Sequence, residues 1–394
     1  MMNLSKIPKL IPLIFIATLS AKGPLMSAHA QDQNTNANLQ KLMDDRLPQI
    51  LQDAGQIGNG GVVMQNGTII AEAHSGLKRK DTELSIGAND VWHIGSITKS
   101  ITATMIGRLA DQGKLNLSDS IADLWPEEAE NFDPAWRTVT MSQLLHHTSG
   151  AKANFGLKVL TNRDFENQAE LDSARQEAVL SILQKAPETT PGTNFEYSNV
   201  GYTIAGQLAV QQTGKSWEQL VREEVFKPLN LTSAGFGPPQ GQNPWGHAKK
   251  LMVLTQAMDP TSSNADNSAI MGPAGIVHMS LADLAKYGQA HLAIEAGTSD
   301  YISAETAKSL HTPPQQINEN HPPYAAGWIW MSFSEDERLS LFHNGSNTMW
   351  YAFLVNDPKT NASFAFATNI GNIKRSEFGF GKLTHDMLGE LDQQ

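Results

Sequence analysis

Strand patterns at the two ends of the chain, separated by a long helical stretch, most strongly constrain its fold. Near the start, the segment GGVVMQNGTIIAEAHSG predicts two strands joined by the two-residue turn Asn66-Gly67. Near the end, short apolar segments bounded by turn residues predict further strands, in ERLSLFHNG, TMWYAFLVNDP and ASFAFATNI. The simplest assembly joins the early hairpin and the late strands in one antiparallel sheet.

Helical periodicity predicts the other elements. Apolar residues recur at helical spacing over 38–53, after a polar leader that we expect to be irregular, and over 378–391. Between the strand regions, the pattern predicts helices over 97–112, 172–185, 200–213, 217–226 and 281–292. The predicted fold class is α/β (α+β), an antiparallel sheet flanked by N- and C-terminal helices with a mostly helical insertion. We expect residues 31–95 and 296–394 to form the α/β domain and 96–295 the mainly helical region.

The first 30 residues have the order of a secretory signal peptide. Two lysines precede an apolar run over 10–21, and Ala28-His29-Ala30 supplies small residues at a cleavage site. The run is well short of the roughly 20 residues that cross a bilayer. We therefore expect residues 1–30 to be removed and the mature protein to be periplasmic or secreted. The alternative is an uncleaved membrane tether.

Charge and cysteine content exclude several classes of function. Residues 1–30 carry three lysines and no acidic residue, so their removal lowers the formal charge from −11 to −14. Such a surface repels phosphate backbones and anionic lipids, and we expect no nucleic-acid partner. The absence of cysteine excludes disulfides, a thiolate nucleophile and a cysteine metal site. The sequence also lacks the G-x-S-x-G and H-E-x-x-H motifs, and we expect no metal or cofactor.

The segment SITK places a serine and a lysine at the start of a predicted helix. Residues three apart share a helix face, so Ser96 and Lys99 can touch. Burial and the helix dipole both lower a lysine pKa, and a neutral Lys99 could take the proton of Ser96. The alternative is that Ser96 is a helix N-cap and Lys99 is solvated.

Two later motifs could complete such a site. Tyr197-Ser198-Asn199 precedes another predicted helix, and the phenol and carboxamide, two residues apart in an extended segment, point the same way. The alternative is a tyrosine in the core and an asparagine that only caps the helix.

The motif His343-Asn344-Gly345 ends a predicted strand. Gly345 permits a close approach of backbone, so the amides of Ser346 and Ser96 could together hold an oxyanion. The alternative is that His343 is structural, as a lone histidine on a strand usually is.

The order S-x-x-K, Y-S-N, H-x-G resembles the serine β-lactamase and penicillin-binding protein superfamily. The resemblance is to the branch of class C β-lactamases, DD-carboxypeptidases, family VIII esterases and D-aminopeptidases. Further segments resemble that branch in matching order, namely LLHHTSG, FKPLNLTSAGF, GPAGIVHMSLADLAKY and AAGWIW. Together they span residues 91–370.

The resemblance implies acyl transfer through a serine ester, followed by hydrolysis. Ser96 would be the nucleophile, Lys99 its base, and Tyr197 the group that passes a proton to the leaving group and helps to activate water. The substrate-binding residues would be Asn199, His343, Gly345 and Ser346. The partner would be a small molecule or a peptide, such as one derived from peptidoglycan.

The third motif departs from the K-T-G of most β-lactamases of this branch. An imidazole with an ordinary pKa near 6.5 is mostly neutral at pH 7, and Asn344 lacks the threonine hydroxyl. Both changes weaken the case for efficient β-lactam hydrolysis. Three hypotheses remain: an exported hydrolase of a peptide, an amide or a β-lactam; a carboxylesterase on the same machinery; and a penicillin-binding sensor that stays acylated.

Overall fold

The computed structural model describes residues 23–250, 254–314 and 322–393. The strands are β1 Gly58–Gln65, β2 Thr68–Gly76, β3 Val91–His93, β4 Gly235–Phe236, β5 His247–Lys250, β6 Leu254–Ala257, β7 Val277–Ser280, β8 Tyr324–Ala325, β9 Trp328–Ser332, β10 Leu339–Ser346, β11 Tyr351–Asp357 and β12 Ala362–Thr368. The helices are α1 Gly23–Asp53, α2 Thr98–Asp111, α3 Ile121–Leu124, α4 Met141–Leu145, α5 Leu157–Thr161, α6 Gln168–Leu183, α7 Asn199–Thr213, α8 Trp217–Val221, α9 Gly272–Gly275, α10 Leu281–Glu295, α11 Ala304–His311 and α12 Ile373–Leu391.

The two ends of the chain form one antiparallel sheet, as predicted. In the described part of the chain, seven strands follow the order β2-β1-β12-β11-β10-β9-β8. Strand β1 pairs with β12, with Val62 opposite Ala365, which joins the early hairpin to the late strands. The hairpin turn has positive φ at both Asn66 (50°) and Gly67 (75°), the geometry that these two residue types favour.

Helices cover both faces of this sheet. On one face, α1 and α12 bury a cluster that includes Leu39, Met43, Leu47, Phe366, Phe380 and Met387. On the other face, α10 packs against β1, β11 and β12. The predicted α+β architecture, a sheet flanked by the N- and C-terminal helices, is confirmed.

The leader before residue 38 is helical where it is described, which contradicts the expectation of an irregular segment. Helix α1 starts at Gly23, and the sequence between Pro24 and Pro48 contains no glycine or proline to interrupt it. The predicted signal peptide lies outside the described residues as far as position 22. No helix in the described ranges is long and apolar enough to span a membrane.

The middle of the chain contains short strands that periodicity did not predict. Strands β3, β7 and β4 form a small separate sheet, and β5 pairs with β6. Strands of two to four residues are too short to show a periodic pattern. The helix predicted over 217–226 is α8 followed by a π-helical turn, Arg222–Phe226.

A buried ion pair fastens this middle region together. Arg175 of α6 is fully buried and contacts Glu218 of α8 at 2.6 Å. The same guanidinium donates to the carbonyls of Ala269 (2.8 Å) and Ile270 (3.1 Å), in the turn just before α9. The pair therefore holds α6, α8 and the start of α9 in one arrangement.

We predict that Glu218→Gln destabilises the protein by up to about 3 to 5 kcal/mol, because it removes the carboxylate 2.6 Å from the buried Arg175 and leaves only Asp172, 3.8 Å away. Urea unfolding measures the change. The matched control is Glu223→Gln, which breaks the exposed pair of Glu223 with Lys215 and should leave the unfolding midpoint nearly unchanged. Equal effects of the two variants would contradict the structural role of the buried pair.

Candidate active site

Ser96 lies in a 3-10 turn, Gly95–Ile97, that leads into α2. The N-cap of α2 is Ile97, and no side chain caps the helix there. Ser96 is therefore not a helix cap, which was the alternative that the sequence left open. Its side chain is half-buried and lines a cavity of about 470 Å³. Other residues that line this cavity are Asn154, Arg163, Asn199, Asp266, Ser346 and Asn347.

Lys99 is completely buried beside Ser96. Its Nζ lies 3.3 Å from the Ser96 hydroxyl and donates to Oδ1 of Asn199 (2.7 Å) and to the carbonyl of Ala274 (2.9 Å). Among the described residues, no carboxylate forms an ion pair with this amine. Burial lowers the pKa of Lys99 to about 7, so a large fraction of the amine is neutral near neutral pH. A neutral amine at this distance can accept the serine proton.

Tyr197 lies beside Ser96 and Lys99, and its ring centroid lies 4.7 Å from Nζ of Lys99. Although 37% of Tyr197 is exposed, desolvation raises the pKa of the phenol above its ordinary value, and the nearby Ser96 side chain lowers it by a smaller amount. The phenol is therefore protonated at neutral pH and can donate a proton.

Asn199 is the first residue of α7, and the N-cap is Ser198, whose Oγ accepts from the amide of Gly201 at 2.8 Å. Because Ser198 caps the helix, the Asn199 side chain serves another purpose. Its Oδ1 accepts from Lys99, and its Nδ2 donates to Oδ1 of Asn154 at 2.7 Å. Asn154, which the sequence analysis did not identify, thus fixes which end of the amide faces the lysine.

Two glycines let β10 approach the Ser96 turn. A Cβ on Gly345 would lie 2.5 Å from the Ser96 amide nitrogen, and one on Gly95 would lie 2.2 Å from the Ser346 amide nitrogen. Gly95 also has φ +52°, which favours glycine. The backbone of the Ser96 turn is therefore in close contact with the end of β10, and the amide nitrogens of Ser96 and Ser346 both lie at this contact. That these amides hold an oxyanion stays a prediction.

His343 lies behind the cleft, whereas the sequence placed it in the cleft wall. It is 2% exposed, its Nδ1 donates to the carbonyl of Asn344, and its Nε2 accepts from the Tyr324 hydroxyl at 3.2 Å. Burial, and then the positive charge of Lys99, lower the pKa of His343 to about 3. The next side chain, Asn344, points to the other face of the sheet and donates to Glu377 of α12 at 2.6 Å. Neither side chain supplies a positive charge to the cavity.

His147 is a residue near the site whose place the sequence did not reveal. Its ring lies 4.4 Å from that of Tyr197 and 4.7 Å from that of Tyr324, and its Nδ1 accepts from the amide of Ser198 at 3.0 Å. Burial, and then the charge of Lys99, lower its pKa well below the ordinary value, so the ring is neutral. Its left-handed backbone, φ +59°, is unusual for a residue other than glycine and has no signature in the LLHHTSG segment.

One family model and a group of curated relatives match most of this chain. The family model described as Beta-lactamase matches residues 37–378. Penicillin-binding protein 4 of Amycolatopsis lactamdurans is 27% identical over 331 residues, which cover 81% of this chain and 82% of that protein. Several other curated relatives are longer, and the chain spans about 63% of their length.

Solved structures share the fold. A class C beta-lactamase superposes with a TM-score of 0.71 at 18% identity, covering 89% of this chain and 96% of that one. A D-amino acid amidase from Ochrobactrum anthropi SV3, complexed with L-phenylalanine amide, gives 0.69 at 19% identity, covering 91% and 99%.

The lowered pKa of Lys99 predicts how the reactivity of Ser96 depends on pH. Lys99 can accept a proton only when it is neutral, so the rate at which a neutral fluorophosphonate labels Ser96 should rise about tenfold per pH unit below pH 7 and level off above it. Intact-mass spectrometry at a series of pH values measures the rate.

Asn199→Asp gives the matched comparison. It places a carboxylate where Oδ1 now lies 2.7 Å from Nζ, which favours the protonated amine and should shift the rise to higher pH. A labelling rate of the unmodified protein that does not change with pH around 7 would contradict the assignment of Lys99 as the base.

Proposed function

Because the chain belongs to the beta-lactamase family, we propose that it is a serine hydrolase that works through an ester of Ser96 and acts on a peptide, an amide or a β-lactam. The observation that carries this proposal is the buried Lys99, 3.3 Å from the Ser96 hydroxyl, with a pKa lowered to about 7. A lysine that is fully buried without a carboxylate partner among the described residues is costly to keep charged. Such a lysine is suited to act as a base.

Acylation follows from the contacts of Ser96. As Oγ attacks the substrate carbonyl, its proton moves to Lys99, and the carbonyl oxygen becomes an oxyanion held by the amides of Ser96 and Ser346. The carbon–nitrogen bond then breaks. Tyr197 gives its phenolic proton to the leaving nitrogen and regains a proton from Lys99. The step ends with an acyl-Ser96 ester and a neutral lysine.

Deacylation uses the same groups in the reverse order. A water molecule attacks the ester carbonyl and gives one proton to the Tyr197 oxygen, while Tyr197 passes its phenolic proton to the neutral Lys99. The amides of Ser96 and Ser346 hold the second oxyanion. The bond between the acyl carbon and Oγ then breaks, and the proton returns to Ser96. The products are a carboxylic acid and the original site.

The third motif favours a peptide or amide over a β-lactam as the substrate. A β-lactam carries a carboxylate, which a cation in this motif would bind. Here His343 is neutral and behind the cleft, and Asn344 donates to Glu377 on the far side of the sheet. The likeness to a D-amino acid amidase, although it shows only the fold, is consistent with an amide substrate.

The place of action and the domain organisation are part of the same proposal. We infer that residues 1–30 direct export and that the mature enzyme acts in the periplasm or outside the cell.

We further infer that residues 31–95 and 296–394 form one α/β domain around the mainly helical region 96–295. The pairing of β1 with β12 supports this division.

The catalytic proposal predicts a covalent adduct on Ser96. The purified mature protein should gain the mass of a fluorophosphonate and hydrolyse a p-nitrophenyl ester and an amino-acid p-nitroanilide, with a much slower reaction toward a penicillin. Intact mass and absorbance measure the adducts and the turnover. Lys99→Ala should lower the rates by roughly 100-fold to 10,000-fold.

Ser96→Ala is the control and should give neither adduct nor turnover. Absence of any adduct, together with an untouched p-nitrophenyl ester, would contradict the catalytic proposal. Rapid ester turnover with no reaction on any amide would identify a carboxylesterase. A penicillin adduct that persists without turnover would identify a sensor.

The export proposal predicts the start of the mature chain. Expression of the full sequence in a Gram-negative host should yield a periplasmic protein that begins at Gln31, as read by N-terminal mass spectrometry. Replacing Ile14 and Ile16 by arginine, within the apolar run, should retain the protein in the cytoplasm at full length. A periplasmic protein with an intact leader would instead support the tether.

A further inference from the structure

His147 accepts hydrogen bonds from both residues that flank Tyr197. Its backbone carbonyl accepts from the amide of Glu196 at 2.8 Å, and its ring nitrogen Nδ1 accepts from the amide of Ser198 at 3.0 Å. His147 lies in the loop after α4, far from Tyr197 in the sequence. One residue of another segment therefore fixes the chain on either side of the phenol.

The imidazole ring of His147 also supports the ring of Tyr197. The two ring centroids lie 4.4 Å apart, and the rings of Tyr324 (4.7 Å), Tyr202 (5.2 Å) and Phe195 (5.7 Å) also contact the imidazole. His147 is buried, whereas Tyr197 keeps part of its surface exposed. The phenol therefore packs on a support that is itself held in place by aromatic neighbours.

His147 keeps this position at a cost in free energy. Its φ of +59° lies in the left-handed region, which disfavours residues other than glycine. Because Nδ1 accepts a hydrogen bond, the proton of the neutral ring is on Nε2, and this buried atom has no hydrogen-bond partner among the described residues. A strained backbone and an unpaired polar atom in one buried residue indicate a requirement other than stability.

A neutral imidazole meets two needs that other side chains do not meet together. A phenylalanine would pack on Tyr197 but would leave the amide of Ser198 without an acceptor. A carboxylate would accept from that amide but would bring a negative charge toward Lys99, which must be neutral to act as a base. The imidazole supplies the acceptor and the ring, and it adds no charge.

We propose that His147 is a positioning residue for Tyr197, and that the cleavage of substrates with a poor leaving group depends on it. The anion of an amine is a very poor leaving group, so the carbon–nitrogen bond breaks as the nitrogen takes the phenolic proton of Tyr197. The p-nitrophenolate anion leaves without a proton. The position of the phenol therefore matters for amides and matters little for p-nitrophenyl esters. This proposal rests on the proposed function of Ser96.

The test compares two leaving groups in a variant that loses the contact with Ser198. In His147→Gln the polar end of the side chain lies beyond the position of Nδ1, so the amide of Ser198 loses its acceptor. We expect kcat/KM for alanine p-nitroanilide to fall roughly 100-fold, as for a misplacement of about 1 Å, and kcat/KM for p-nitrophenyl butyrate to fall less than about threefold. If the unmodified protein hydrolyses only esters, ethyl butyrate replaces the anilide, because ethoxide also needs a proton to leave.

Two further variants supply the rescue and the control. His147→Asn places Oδ1 close to the position of Nδ1, and asparagine tolerates a left-handed φ, so the ratio of the anilide rate to the ester rate should stay within about threefold of that of the unmodified protein. His146→Gln makes the same substitution at the adjacent histidine, which is also buried and donates to the carbonyl of Ser142. It should leave this ratio unchanged, even if it lowers the stability.

Labelling of Ser96 by a neutral fluorophosphonate separates the possible failures, because fluoride leaves without a proton from Tyr197. His147→Gln should be labelled nearly as fast as the unmodified protein. An unchanged ratio of anilide to ester rates in this labelled variant would overturn the role of His147. An equal loss for both substrates, or a lowered ratio in His146→Gln, would also overturn it, because either result marks a structural effect.

The test still decides if His147→Gln does not fold. His147→Asn then carries it: a preserved ratio supports the proposal, and a ratio that collapses in this folded variant overturns it. Absence of labelling in the unmodified protein would overturn the proposed function itself, and the role of His147 with it.

Discussion

The rest of the site depends on a buried lysine to which no residue in the described part of the chain brings a counter-charge. Lys99 meets one hydroxyl, one carboxamide and one backbone carbonyl, from Ser96, Asn199 and Ala274. These groups come from three segments that are far apart in the chain, and each offers an oxygen but no negative charge. If any of them carried a full charge, the amine would stay protonated and could not accept a proton. The loops and helices around Lys99 must therefore place neutral polar atoms within hydrogen-bond distance of its amine. One of these atoms is the carbonyl of Ala274 in α9, and the buried pair of Arg175 with Glu218 holds the turn just before that helix.

The second requirement is a close contact between the helical region and the sheet. The Ser96 turn and the end of β10 approach so closely that a methyl group on either Gly95 or Gly345 would overlap backbone atoms. The two backbone amides that could hold an oxyanion thus belong to separate layers of the fold. Their geometry depends on the packing between those layers, so a shift of the sheet against the helical region would separate them even if every side chain stayed in place.

The sequence predicts the elements and contacts that depend on residues a few positions apart. It does not predict the contacts between residues that are far apart in the chain. The hairpin at Asn66-Gly67, the late strands and the contact of Ser96 with Lys99 follow from spacing over a few residues. The strands of two to four residues carry no such pattern. The sequence predicts His343 in the cleft because the strand pattern does not show which face of β10 is buried. In the structure its ring instead contacts Tyr324. His147, Asn154 and Asp266 reach the site from loops whose course only the packed structure fixes, and their local sequence does not indicate that they meet.

The pairing of β1 with β12 has a consequence for how the molecule forms. The partner residues Asn59 and Thr368 are far apart in sequence, so the central part of the sheet cannot close until all the residues between them are available. Contacts between residues so far apart in sequence make folding slow. The chain loses the conformational entropy of the large loop before the strand pairing contributes its favourable free energy. Ser346 belongs to β10 and Ser96 to the turn before α2, so the two backbone amides can meet only after the helices and strands between them have been synthesised. The candidate oxyanion site is therefore absent from any shorter nascent chain, even one whose Ser96 and Lys99 are already in contact.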